Sequence, residues 1–182
     1  MQETWKQFVY DLCEAKQKSV NESVYHFLIE GQFKLLGWLK LYGEICHKPN
    51  IPIGNTNFIQ PDILIRKDDE DLFVIEVKKP DHVQTERERQ QLESYMRQLK
   101  LAVGIYIGEH IEVYYDKPGE KEAISVLKIN MELDTEDGTQ FIKLFSKSLF
   151  NKEDLINFCE KRLQEKKRKE GKLYTKIGHS KE

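Results

Sequence analysis

At 182 residues, with 39% hydrophobic and 33% charged side chains, the chain is long enough to bury one core, short for two, and too apolar to stay disordered. Its net charge of -2 and pI near 6.3 exclude a molecule that holds nucleic acid by overall charge, so any such contact must be local.

Residues 3–17 (ETWKQFVYDLCEAKQ) place Trp5, Phe8, Val9 and Leu12 at helical spacing without Gly or Pro, which predicts an amphipathic helix. A second helix is expected over residues 21–36, capped by Ser19 or Asn21 and ended by Gly37. Two prolines within residues 45–53 suggest an edge strand or extended segment. Residues 60–80, QPDILIRKDDEDLFVIEVKKP, read as two apolar strands joined by an acidic turn. A helix follows over residues 85–99, with Leu92, Met96 and Leu99 as its buried stripe. LAVGIYIG and IEVYYD form another hairpin around Gly108 and Glu109, AISVLKI adds a strand, and helices at residues 138–147 and 152–169 close the chain. This order predicts an α/β fold, a mixed β-sheet flanked by helices with extra C-terminal helices. GxGxxG and GxxxxGK are both absent, which excludes the usual phosphate cradles of nucleotide-binding folds.

The three cysteines, Cys13, Cys46 and Cys159, are odd in number, far apart and outside any CxxC pair, so a reducing, cytoplasmic setting is expected and a disulfide or zinc framework is not. The five histidines show no HExxH or HxxH grouping. No apolar run approaches the roughly 18 residues of a membrane span, and no signal-peptide core opens the sequence. Charge is uneven: residues 160–182 carry nine Lys or Arg against four Glu. Such a tail suits either a phosphate backbone or, more plainly, a solvated helix end.

The hairpin carries the chemistry. Side chains alternate along a strand, so Glu76 and Lys78 share one face while Phe73, Ile75 and Val77 share the other. With a loop at residues 67–71, the hydrophobic pattern sets Asp62 opposite Glu76, Leu64 opposite Val74 and Arg66 opposite Leu72. Facing residues hold their Cβ atoms about 4.5 to 5.5 Å apart, where like charges are destabilising. Lys78 neutralises one carboxylate, and the pair with the main-chain carbonyl of Val77 also suits a hard divalent cation such as Mg²⁺. A Lys78 whose pKa is depressed by burial and by the cation would orient or deprotonate a water for attack on a phosphodiester. The alternative is that Glu76 and Lys78 are merely a strand's solvent face, but the nearly continuous apolar flanks predict strands buried on both faces.

Pro61-Asp62 followed by Glu76-Val77-Lys78 resembles the PD-(D/E)xK nuclease superfamily. NESVYHFLIEGQFKLLGW, residues 21–38, resembles the first helix of the N-terminal nuclease domain of type I restriction enzyme R subunits, and QLESY, residues 91–95, is similar to the QxxxY element of those subunits and of RecB-like nucleases. The resemblance spans about residues 15–130. It implies a restriction-endonuclease-like fold for a nuclease-like domain at residues 1–150, followed by a C-terminal basic helix and tail at residues 151–182. It also implies DNA cleavage dependent on Mg²⁺, with Mn²⁺ as substitute, and a catalytic set of Asp62, Glu76, Lys78 and Glu22. The helix acid is Glu22 by position, with Glu14, Glu30 and Glu44 as neighbours able to replace it. Gln91 and Tyr95, four apart on one helix face, would support the site or the phosphate. Partners implied are DNA, other restriction-modification subunits or an ATP-driven translocase, and a second copy of the chain. The sequence departs from those subunits in having no Walker motif, and in placing Tyr25 and His26 where a basic residue often follows the acid. The alternative reading is a non-catalytic nucleic-acid-binding or subunit-assembly module on the same fold.

Overall fold

The computed structural model describes residues 1–53 and 57–178, with side chains through Lys169, so residues 179–182 of the expected basic tail lie outside it. The helices are α1 (Gln2–Gln17), α2 (Glu22–Leu35), α3 (Glu86–Gln98), α4 (Glu136–Phe145) and α5 (Lys152–Gly178). The strands are β1 (Ile45–His47), β2 (Ile51–Ile53), β3 (Asn57–Ile59), β4 (Ile63–Lys67), β5 (Glu70–Val77), β6 (Val103–Ile107), β7 (Ile111–Tyr115) and β8 (Ile124–Ile129). A six-stranded sheet runs β1-β4-β5-β6-β7-β8, and β2 pairs with β3 in a separate two-stranded sheet. Every neighbouring pair in the large sheet is antiparallel except β5 and β6, which are parallel and joined through α3. A parallel pair needs such a crossover, and a helix supplies it.

Local signals fix the helix ends. The Asn21 side chain accepts from the Val24 amide and so caps α2, while Ser19 sits before it with a φ of 48°. Gly37, at φ 96°, turns the chain out of α2 in a conformation that disfavours any Cβ. Thr85 and Glu88 form a reciprocal capping box on α3. Thr135 caps α4, which therefore starts two residues earlier than its apolar pattern suggests.

The sheet separates two apolar layers. On one face Ile63, Ile65, Phe73, Ile75 and Val77 pack with Trp5, Phe8, Tyr25, Ile29, Phe33, Phe141 and Phe145, and Leu155, Cys159 and Leu163 bring the first half of α5 into the same core. On the other, Leu64 and Val74 pack with Leu92, Tyr95 and Met96 of α3. This restriction-endonuclease-like sandwich buries β4 and β5 on both sides, as their apolar flanks predict. No helix among the described residues is long and apolar enough to cross a membrane.

Two expectations are corrected. The segment 45–53 supplies the expected edge strand as β1, which ends the main sheet, but it is not one extended piece: β2 turns away to pair with β3, with Pro52 opposite Phe58. The β4–β5 register is as expected for Ile63↔Ile75, Leu64↔Val74 and Ile65↔Phe73, then shifts, so that Arg66 faces Asp71 rather than Leu72. The turn residues Asp68 and Asp69 adopt φ of 51° and 64°, and Arg66 Nε bonds Asp71 Oδ1 at 2.5 Å, which explains the shift.

The α1–α4 contact yields a sharp expectation. A Cβ on Gly138 would stand 2.0 Å from Cε2 of Trp5, whose fully buried indole is held by a 2.9 Å hydrogen bond from Nε1 to the Glu132 carbonyl. Gly138→Ala should therefore destabilise the chain by about 1 to 3 kcal/mol through overpacking, despite alanine's better helix propensity. A calorimetric melting temperature equal to or above that of the parent would refute that contact.

Candidate functional site

The acids assemble where the C-terminal end of β5 meets the N-terminal end of α2. Glu76 is the penultimate residue of β5, 2% exposed, and opposite Tyr106 of β6. Lys78 follows the strand, and its amide donates to the Ile107 carbonyl at 2.9 Å, extending the β5–β6 ladder by one step. Its side chain returns to the same face as Glu76, and Nζ donates to Glu76 Oε1 at 2.6 Å.

Asp62 lies just before β4, one step past the ladder pair Ile63↔Ile75, so it continues the expected register toward Glu76 without a backbone ladder pair of its own. Its carboxylate instead reaches across: Oδ2 accepts from the Val77 amide at 2.9 Å. Val77 thus touches Asp62 through its N–H. The Asp62 carbonyl accepts from the Lys48 amide at 2.9 Å and faces His26 Nε2 at 3.2 Å, so both its ends are anchored.

The electrostatics follow from burial. Removal from water, then the negative charge of Asp62, pushes the Glu76 carboxyl up to about 7 against opposition from Lys78. Burial works against the Lys78 ammonium, yet the carboxylates of Glu76, Asp62 and Glu22 outweigh it and raise its pKa above the ordinary value. Burial alone, the part of the expectation these groups bear on, is therefore not enough to depress Lys78. The sequence alone registers burial and cannot weigh three acids against it.

The remaining candidates divide. Glu22 is the first residue of α2 and exposed; it acts on Glu76 and Lys78 through charge and makes no hydrogen bond to either. Tyr95 is buried in the α3 layer, its hydroxyl 3.4 Å from the Gln60 carbonyl, and exposed Gln91 donates to that hydroxyl at 2.6 Å. Burial holds the Tyr95 phenol above its usual pKa against the Gln91 hydrogen bond, and the charges of Glu76 and Asp62 add to the rise.

Sequence reading missed the second cluster against Asp62. His26 and Glu30 of α2 are buried, and both meet His47 of β1. The two imidazoles stand 4.5 Å apart between centroids, although the histidines are scattered along the chain. Only the i, i+4 pairing of His26 and Glu30 was readable beforehand. Lys48 Nζ adds a cation 3.8 Å from Asp62 Oδ1.

The chain matches no protein-family model and no curated protein. Among solved structures, it is similar to a chain of the cryo-EM structure of the DrdV–DNA complex, with a TM-score of 0.56 and 17% sequence identity over 81% of this chain and 98% of that one.

Proposed function

We propose that the chain is a metal-dependent endonuclease domain that hydrolyses DNA phosphodiesters in the cytoplasm, with Asp62 and Glu76 as metal ligands, Lys78 as the cation beside them and Glu22 as an additional acid. The observation that carries this reading is the convergence of Asp62, Glu76 and Lys78 at one strand end, with Glu76 so buried and so close to another acid that its carboxyl is pushed up to about 7. Ionisable groups displaced this far mark sites where charge is handled. The donors are all oxygen, from the two carboxylates and the Val77 main chain, a set that fits Mg²⁺ with Mn²⁺ as substitute. When bound, such a cation offsets charge developing on a phosphodiester and lowers the pKa of its water.

The chain's own groups have definable tasks. Lys78, held protonated by its carboxylate neighbours, presents a positive charge to an approaching phosphate. Gln91 and Tyr95 present an amide and a phenol on the same side as the acids, where they would position phosphate oxygens. The Val77 amide keeps Asp62 aimed at β5. The similar DrdV chain comes from a complex with DNA, which supports DNA as the partner. A second copy, restriction-modification subunits or an ATP-driven translocase would complete a two-strand cutter.

A plasmid assay tests the proposal. Supercoiled DNA should be nicked or linearised by the purified chain with Mg²⁺ or Mn²⁺ and left intact with EDTA, and Mn²⁺ should raise the melting temperature by binding the folded state preferentially. The competing reading is a binding module on the same fold, favoured by the closed Glu76–Lys78 pair. It would give salt-sensitive DNA affinity that ignores EDTA, with no strand broken under any metal. That result would replace the enzyme assignment.

A further inference from the structure

The His26, Glu30 and His47 cluster poses a hydrogen-bonding problem that the acid site does not solve. His26 Nε2 lies 3.2 Å from the Asp62 main-chain carbonyl, an acceptor, so that nitrogen carries the ring proton as donor. Nδ1 is then a lone pair. It is fully buried, and among the described residues it has no hydrogen-bond partner. What it faces is Oε1 of Glu30 at 3.6 Å, itself rich in lone pairs, on a side chain 4% exposed. Two buried acceptors aimed at one another call for a positive centre between them.

A third donor atom converges on the same point. His47 Nδ1 hydrogen-bonds Glu30 Oε1, and one ligand atom from each of the three residues lies within 4.8 Å of the others. In a tetrahedral zinc site, with bonds of about 2.0 to 2.1 Å, ligand atoms stand roughly 3.4 Å apart, close to the 3.6 Å already present between His26 and Glu30. Lys40 Nζ sits 3.5 Å from Oε2 of Glu30, the other oxygen, so the lysine does not compete for Oε1.

We propose that His26, Glu30 and His47 bind a first-row transition-metal ion, Zn²⁺ by preference, at a site separate from Asp62 and Glu76. Two imidazoles and one carboxylate suit such an ion far better than Mg²⁺, which prefers oxygen alone. The ligands also have the surroundings such sites use. The His26 ring is oriented by a main-chain carbonyl through its second nitrogen, and His47 stacks on Phe27 at 5.8 Å between centroids. A fourth position opens toward a small pocket lined by Glu22, Ser23, His26, Phe27, His47 and Lys48, which has room for water. The ion would tie α2 to edge strand β1; His26 of α2 and Lys48, the residue after β1, both hydrogen-bond the Asp62 carbonyl, so the ion would brace the residue on which the acid site depends.

The proposal stands independently of the nuclease reading, and the experiment keeps them apart. The full chain, stripped with EDTA and dialysed, is titrated with Co²⁺ and then with Zn²⁺. One equivalent of Co²⁺ should produce tetrahedral visible absorption, and Zn²⁺ should displace it. His47→Ala, at a partly exposed position, should weaken binding by about a hundredfold or more while the metal-free fold is kept by circular dichroism. His47→Cys should restore binding and add sulfur-to-cobalt charge transfer, whereas Glu76→Gln should leave the tetrahedral band and its affinity unchanged. Absence of the visible band in the parent chain overturns the proposal. So does undiminished affinity in His47→Ala, or loss in Glu76→Gln with retention in His47→Ala, which would send the ion to the acids.

Discussion

Between about pH 5 and pH 8 the metal-free chain should lose on the order of 3 kcal/mol of stability through a single carboxyl group, and Glu76→Gln should abolish that loss. The folded pKa of Glu76 is raised to about 7 from an unfolded value of 4.5, so the folded state holds a proton that the unfolded state has released. The stabilising contribution is complete below pH 4.5 and is lost as pH rises through 7. The other displaced carboxyls work outside this window: Glu44, Glu86, Glu88 and Glu112 are lowered, so their contributions change below pH 4.5, while the lowered His26 adds stability as pH rises toward 6.5 in parent and variant alike, so the Glu76 loss is the difference between the two profiles. Lys78 is raised above 10.5 and stays protonated throughout, so it shifts the baseline of the Glu76→Gln variant but not its slope. Denaturant titrations of parent and variant at several pH values give that slope. Parallel profiles would show that Glu76 ionises normally, and a metal-demanding site would lose its electrostatic basis.

The same group should link metal binding to pH. A cation entering beside Glu76 favours the ionised form, so below pH 7 it must displace a proton. The stabilisation by Mn²⁺ is therefore expected to be small near pH 5.5 and to reach its full size near pH 8.

The fold was legible wherever one periodicity dominated. Trp5, Phe8, Val9 and Leu12 recur at helical spacing over a stretch without Gly or Pro, and all four are buried in the main core. The strict alternation of Ile63, Ile65, Phe73, Ile75 and Val77 fixed both faces and the register of β4 and β5, because a slip of one residue would have put that whole set into the opposite layer. What escaped were features without a pattern of their own. The bulge at Arg66 arises from a short ion pair and two positive-φ aspartates, and strands β2 and β3 are three residues each, with Pro52 among them. Site residues followed the same division. Asp62, Glu76 and Lys78 are close in sequence and tied by one hairpin, so strand geometry brought them together before any coordinates. His26 and His47 meet only because α2 packs against the edge of the sheet, a tertiary contact that spacing along the chain cannot express.

Lys78→Ala should lower DNA cleavage on the order of a thousandfold while sparing, and indeed enlarging, the response to Mn²⁺. The ammonium donates to Glu76 Oε1 at 2.6 Å and is the cation that opposes the rise of the Glu76 pKa. Removing it leaves a buried carboxylate beside Asp62 without its partner, so the metal-free variant should melt lower than the parent at pH 8. For the same reason an added cation has more repulsion to relieve, and the melting-temperature increment with Mn²⁺ should exceed that of the parent. Cleavage should nevertheless fall, since the residue that presents positive charge to the phosphate is gone and water cannot take its place. Lys78→Arg tests whether charge alone suffices: the guanidinium keeps a positive charge beside Glu76 but not the compact ammonium geometry, so it should recover stability more fully than activity. Plasmid cleavage and thermal melts on the same preparations separate the two effects. If Lys78→Ala cuts DNA within a few-fold of the parent rate while its metal-free stability drops, the lysine serves only to neutralise Glu76, and another group must face the scissile phosphate.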